Sequence, residues 1–257
     1  MIHPVVKYGD EVLHNQGSGW LPSDPKSDRA LYDAFAVGPD DVWAIGTGGT
    51  ILHYTGATGG WSSLDSPTLE WLRGIWVTPT GGWIVGTNGT MLALLNQTSW
   101  VVTPSNTASD LNDVWIGSAK DAWAVGENGA LTHWDGSQWA AYPLAGEAGT
   151  TATLRSVWGS SATDAWAVGI LGTIAHYDGK VWNVTKTGES YSLNDVWGAG
   201  PKDVYAVGTS GTILHWDGTS WTEHASGTST SLNSVWGPDA NTVYVAGEAG
   251  ALLKRAP

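Results

Sequence analysis

Histidine recurs through the chain as His14, His53, His133, His176 and His215, each in the same short apolar context, as in "TILHW" ending at Trp216. Imidazoles can bind metals or move protons near neutral pH. A shared ion would need them clustered, and no His-x₃-His pair exists; one histidine arrives about every forty residues. Each is therefore expected to satisfy a local hydrogen bond. Asp41, Asp121, Asp164 and Asp203 recur at "DVW", "DAW" or "DVY". A carboxylate there is expected to bond its own turn, as short polar side chains do. Asp135, Asp178 and Asp217 each precede glycine in hairpin-type turns.

Another column carries more chemical promise. One residue before or after a shared apolar position, the chain reads Tyr32, Arg73, Asn112, Arg155, Asn194 and Asn233, and next Asp33, Gly74, Asp113, Ser156, Asp195 and Ser234. If these copies converge, Arg73, Arg155, Asn112, Asn194 and Asn233 would form a polar binding ring. Asp33, Asp113 and Asp195 would then supply oxygen ligands of the type Ca²⁺ takes. The plainer expectation is a hydrated channel crossed by salt bridges.

Convergence depends on the elements that carry these residues. The anchor is an apolar residue followed by an aromatic: Phe35, Trp76, Trp115, Trp158, Trp197 and Trp236, at steps of 41, 39, 43, 39 and 39 residues. Internal periods of this length mark repeat architectures. Each unit reads as four short strands rich in Val, Ile, Tyr, Trp and Thr, such as "LNDVWG", "DVYAVG", "TILHW" and "WTEHA". The breaks are turn chemistry, among them Asn-Gly and Asp-Gly pairs that favour positive φ. No sustained 3.6-residue period appears, so essentially no helix is expected.

Four antiparallel strands repeated every ~40 residues describe a propeller blade. The fold expected is all-β: a six-bladed β-propeller of four-stranded antiparallel blades, one domain over 1–257. The blades would span 31–70, 71–110, 111–153, 154–192, 193–231, and 232–257 plus 11–24. A β-helix or two sandwiches are alternatives with less reason for such even spacing. Closure is expected from the N-terminus, because "EVLHNQGSGW" aligns without gaps on "TILHWDGTSW" and the last unit stops after three strands. The alignment also duplicates a third strand, Val12–His14 against "ALLK". Either one copy is displaced from the last blade, or the repeat array is longer than this chain.

Tryptophans fall in four columns, one per strand. The first two are expected to be core, since a buried aromatic removes ~150–250 Å² from water. The third and fourth approach the rim. There Trp134, Trp216, Tyr54 and Tyr177 are candidates for stacking on sugar rings.

The 257 residues carry a net charge of −13 and no cysteine. Eleven scattered Lys and Arg make no cationic run, which argues against a nucleic-acid partner. Disulfides, thiolate-ligated zinc and thiol catalysis are excluded. No apolar run approaches a membrane span, so no membrane insertion is expected. The start, "MIHPVVKYGD", has no signal-peptide pattern.

The motif "VWG…DVWAVG…GTILHWDG…W" resembles the Trp-rich, BNR-like repeats of bacterial secreted or surface propellers. The resemblance covers nearly the whole chain, implies a propeller, and favours an extracellular or cell-surface location. It does not extend to sialidases: "THWDGSQW" places Asp and Gly side by side, and Arg29, Arg73, Arg155 and Arg255 fall in separate places. Propeller lectins of the tachylectin type are similar in general plan. The leading expectation is a non-catalytic binding propeller with no cofactor, its partner a glycan held by rim aromatics. A protein-interaction scaffold or adhesion module is the alternative, suggested by the longer connections "TGATGGW" and "PLAGEAGTTAT". A Ca²⁺-dependent hydrolase at the channel mouth is a third.

Overall fold

The computed structural model describes residues 27–145, 151–187 and 190–255, together with the backbone of three earlier strands, Val5–Tyr8, Glu11–Asn15 and Trp20–Ser23. The chain is a six-bladed β-propeller of small antiparallel sheets. Blade 3 shows the plan. Its inner strand, Leu111–Ser118, pairs with Asp121–Gly126, then come Leu131–Trp134 and the outer strand Trp139–Ala141. The register sets Trp115 opposite Trp123 and Trp123 opposite His133, whereas Trp134 lies between Ala122 and Trp139, so the four sequence columns fall in two adjacent cross-strand rows. The other inner strands are Leu31–Gly38, Leu72–Thr78, Leu154–Ser161, Leu193–Gly200 and Leu232–Asp239, each lying beside the next.

The turn between the second and third strands is shared by all six blades. Its middle residue has positive φ throughout, at Gly48, Asn88, Asn128, Leu171, Ser210 and Ala249. The glycine that follows is also left-handed, and a Cβ there in Gly89 would lie 2.0 Å from the Thr107 carbonyl. That close approach, with the φ, fixes the glycine.

Two features depart from the sequence reading. The connection at 55–60 forms one helical turn, Gly56–Gly59, where other blades use a hairpin. The N-terminal strands also do not complete the last blade. Val5–Tyr8 pairs with Glu11–Asn15, which pairs with Trp20–Ser23, in a sheet of its own. The extra strand Val5–Tyr8 satisfies this segment's backbone locally, and Leu252–Lys254 already fills the third position of blade 6. The described strands of blade 6 therefore number three, and the duplicated third strand is displaced rather than shared. The N-terminal sheet lies before blade 1, with Val5–Tyr8 against Leu31–Gly38, the relation each second strand bears to the next inner strand. The side chains of His14 and Trp20 lie outside the described residues.

Blades are joined by indoles meeting edge to face. Trp43 of blade 1 meets Trp100 of blade 2 at 5.6 Å and 84°. Trp83 meets Trp139 at 5.1 Å and 83°, Trp123 meets Trp182 at 5.1 Å and 78°, and Trp166 meets Trp221 at 5.3 Å and 88°. Each pair couples a second-strand ring to the outer-strand ring of the following blade, the geometry aromatic quadrupoles favour. The "VWG" motif has a parallel cause. The anchor Trp115 lies over Gly159 of the next blade, Trp158 over Gly198 and Trp197 over Gly237. A Cβ at Gly198 would sit 2.6 Å from the Trp158 ring and 2.9 Å from the Asp203 carbonyl. Gly198→Ala is therefore expected to destabilise the ring by ~1–3 kcal/mol through overpacking, read as a lower denaturation midpoint. An unchanged midpoint would refute this account of the motif.

Candidate functional site

The polar column does converge along the inner strands. Arg73 Nη1 donates to Asn112 Oδ1 at 2.8 Å, and Arg155 Nη1 donates to Asn194 Oδ1. Asn112 Nδ2 donates to the Leu154 carbonyl at 2.8 Å and Asn194 Nδ2 to the Leu232 carbonyl at 2.8 Å. Asn233 is exposed and accepts from Asn194 at 3.4 Å. Arg73 also pairs with Asp110 at 2.8 Å and Glu127 at 3.3 Å, so the salt bridges form with carboxylates outside the column. Among the described residues Arg155 has no ion pair. These residues stitch one blade to the next.

The aspartates behave as staples. Asp33 accepts from Ala34 N–H at 2.8 Å and from Ile75 N–H of blade 2 at 2.9 Å. Asp113 accepts from Val114 and Val157 at 2.7 and 2.9 Å, and Asp195 from Val196 and Val235 at 2.9 and 2.8 Å. Ser156 Oγ adds a 2.7 Å bond to Asp195. The expectation that Asp33, Asp113 and Asp195 ligate Ca²⁺ is corrected by this geometry. Their oxygens face backbone N–H groups, and among the described residues no three acidic or histidine side chains group as a metal site. Burial, then the negative charge of Asp33, pushes the Asp113 carboxyl well above its usual range; burial also raises Asp195.

The repeated histidines bond locally, through a longer reach than a turn. His53, His133, His176 and His215 each place Nε2 2.6–2.8 Å from Oδ1 of Asp41, Asp121, Asp164 or Asp203. The rings stack on the paired aromatic: Trp43–His53 centroids are 3.8 Å apart at 16°, and Trp166–His176 3.9 Å at 14°. These aspartates, expected to bond their own turns, are bound across the sheet, and Asp164 accepts from Ser160 of its own hairpin as well. Burial would raise Asp164, but hydrogen bonds from His176 and Ser160 outweigh it and hold the carboxyl below its usual value. Ser160 donates to the carboxylate, not to the imidazole, so this trio cannot activate the serine as a nucleophile. Blade 2 loses both partners together, with Gly81 and Ala93 in their places. Blade 6 replaces the stacked imidazole with Lys254, whose Nζ lies 5.5 Å from the Tyr244 ring centroid. Asp135, Asp178 and Asp217 cap their own hairpins as expected.

The rim aromatics are not open platforms. Trp134 packs on Trp83 at 4.9 Å, Tyr177 on Trp123 at 4.9 Å, Trp216 on Trp166 at 5.0 Å and Tyr54 on Trp61 at 5.5 Å. All four are half-buried. Their expected role in stacking on sugars gives way to blade packing.

The exposed apolar surface lies elsewhere. Trp71 is 49% exposed, Leu69 86% and Tyr32 40%, with the Tyr32 and Trp71 rings 5.9 Å apart. The backbone under Trp71 is fixed: its N–H donates to Thr87 Oγ1 at 3.1 Å and its carbonyl accepts from Thr87 N–H at 2.9 Å. Of nine large hydrophobics exposed among the described residues, five lie in or beside blade 2: Leu69, Trp71, Leu95, Val101 and Val102. A groove of about 390 Å³ lies beside Val102, lined also by Pro67, Met91, Pro104 and Asn106 among others. The sequence carried two signals for this blade. Trp71 is the single tryptophan of 18 outside the four columns, and the 36 residues from Gly74 to Ser109 hold no Asp, Glu, Lys, Arg or His.

No family model and no curated protein sequence matches the chain. The BNR-like resemblance therefore stands as a likeness of repeat motif. Solved structures do match. YCF48 from Cyanidioschyzon merolae superposes with a TM-score of 0.74 at 17% identity, covering 100% of this chain and 99% of that one. A structure described as YCF48 bound to D1 peptide gives a TM-score of 0.49 at 15% identity, covering 100% and 98%. At this identity the likeness shows the propeller fold. No helix among the described residues is long and apolar enough to cross a membrane.

Two outcomes follow from this geometry. A carboxyl whose pKa is raised by folding stabilises below its unfolded value, ~3.9, and that contribution is lost as pH rises through the folded value. The melting temperature of the chain relative to Asp113→Asn should therefore climb as pH falls from 7 towards 4; a difference independent of pH would contradict the raised Asp113. Leu171 holds φ at +54°, where its counterparts include Gly and Asn. Left-handed backbone costs a bulky residue ~1–2 kcal/mol, so Leu171→Asn should raise the thermal midpoint.

Proposed function

We propose that the chain is a non-catalytic protein-binding propeller that meets its partner through blade 2. The observation that carries this is the concentration of exposed apolar side chains in and beside blade 2, whose residues 74–109 carry no charge, in a protein of net charge −13. Acidic surfaces keep proteins apart, and contiguous exposed apolar patches mark interaction sites. Tryptophan and tyrosine are the residues that most often anchor such contacts. Glycan binding is less favoured around Trp71. Sugar recognition needs free carboxylates or amides beside the ring, whereas Glu70 is engaged by Thr87 Oγ1 at 2.6 Å and Asn88 Nδ2 at 2.9 Å. Among the described residues no three acidic or histidine side chains group as a metal site. The reading stands on blade 2 rather than on the peptide recorded with YCF48.

The test compares affinity capture by the native chain, by the double variant Leu69→Ser/Trp71→Ala, and by Leu252→Ser as a control on the exposed edge of blade 6. A partner retained by the native chain and the control, and reduced at least tenfold by the blade 2 variant with its circular dichroism unchanged, supports the proposal. Equal retention by all three overturns it.

A further inference from the structure

Blade 4 already displays how this fold takes an additional strand. Its outer strand, Trp182–Lys186, is covered by Leu144–Ala145 from the connection entering the blade, in parallel, with Leu144 opposite Trp182 and Ala145 opposite Asn183. Tyr142 secures this segment: its hydroxyl donates to the Lys180 carbonyl at 2.6 Å, and its ring meets Trp123 at 5.0 Å and 80°. The covering sequence is short, uncharged and apolar, "YPLA".

Blade 2 presents the corresponding edge uncovered by any strand among the described residues. Its outer strand is Ser99–Val102, with Trp100 in the position of Trp182. Thr103 N–H bonds inward to the Met91 carbonyl at 2.9 Å, as Thr187 N–H bonds inward to Gly172 at 3.2 Å in blade 4. Antiparallel strands alternate their bonding direction, so the backbone groups of Trp100 and Val102 face outward. Proteins usually guard such edges with charge or proline. Blade 5 ends in Thr222-Glu223 and blade 1 in Ser62-Ser63, whereas blade 2 ends in Val101-Val102, with Val102 64% exposed. The groove beside Val102 adds a pocket for a side chain.

We infer that the outer strand of blade 2, Ser99–Val102, binds an extended, uncharged apolar segment of a partner protein as a fifth, parallel strand. The inference rests on the blade 2 reading above and names the ligand class. A neutral segment fits an outer strand with no charge of its own, and main-chain bonds with alternate side-chain pockets are how strand addition recognises peptides. A second copy of this chain is a poorer occupant, since its own "YPLA" segment is already paired to blade 4.

The probe is the synthetic peptide Ala-Ala-Tyr-Pro-Leu-Ala-Gly, the sequence of residues 140–146, with blocked ends. Amide exchange at Val102 should slow at least tenfold on its addition. Val102→Pro removes the outward N–H while leaving the inward bonds, and should weaken peptide affinity at least tenfold with a nearly unchanged melting temperature; Val102→Lys gives a second variant in case the first unfolds. Protection confined to residues 182–186 would mean exchange with the chain's own strand and overturns the inference. So does an absence of protection at millimolar peptide, or a dimer that Val102→Pro converts to monomer. A partner lost by Leu69→Ser/Trp71→Ala yet bound in full by Val102→Pro also overturns strand addition, and leaves the docking role of blade 2 intact.

Discussion

Four of the blade junctions depend on one contact, an outer-strand indole meeting the second-strand indole of the preceding blade at 78–88°. Trp43, Trp123, Trp139 and Trp182 are among the largest fully buried side chains. A sheet of four short strands is too small to bury rings of this size alone. It must borrow a neighbour's face, and each neighbour must do the same. The curvature of the molecule is the accumulated geometry of these pairs, with anchor tryptophans seated on glycines closing the inner radius.

Polar chemistry follows from that closeness. Where inner strands crowd, backbone donors at the strand edges need partners, and Asp33, Asp113 and Asp195 provide them in alternate blades. The intervening blades carry Gly74, Ser156 and Ser234 at the same position. A Cβ on Gly74 would lie 2.7 Å from Asp113 Cα, so this small residue makes room for the next inner strand. Arginine and asparagine complete the junctions in the same two-blade alternation. Groups that suggested a metal site by converging have converged in order to hold strands together.

The repeat exposes the fold in the sequence because strand, turn and anchor obey period, and period needs no knowledge of neighbours. Strand order within blades and the positive-φ turns follow from it directly; burial does not, since most first-column rings are only partly buried while the outer-strand Trp100, Trp139 and Trp182, expected near the rim, are buried. Nor does the fate of the third column, since Trp134, Tyr177 and Trp216 are covered by Trp83, Trp123 and Trp166 of the preceding blades, which only assembly brings near. Closure escaped for a related reason: the competition between Val5–Tyr8 and the last blade for the segment 11–24 is a matter of hydrogen-bonding alternatives, and alignment is blind to it. Trp71 and the uncharged run in blade 2 were legible as breaks in the pattern, and a reading that seeks pattern passes over them. Blade 2's joint loss of Asp and His, at Gly81 and Ala93, shows the same blade drifting from the consensus as a unit.

The parallel strand on blade 4 has a consequence in time. Leu144–Ala145 precedes every strand of the blade it covers, while its pairing partner, Trp182–Lys186, is the last of that blade to be synthesised. The seal can form only once the whole sheet has left the ribosome. Until then blade 3 trails an unattached apolar flap, and its docking marks the moment at which blades 3 and 4 become one mechanical body.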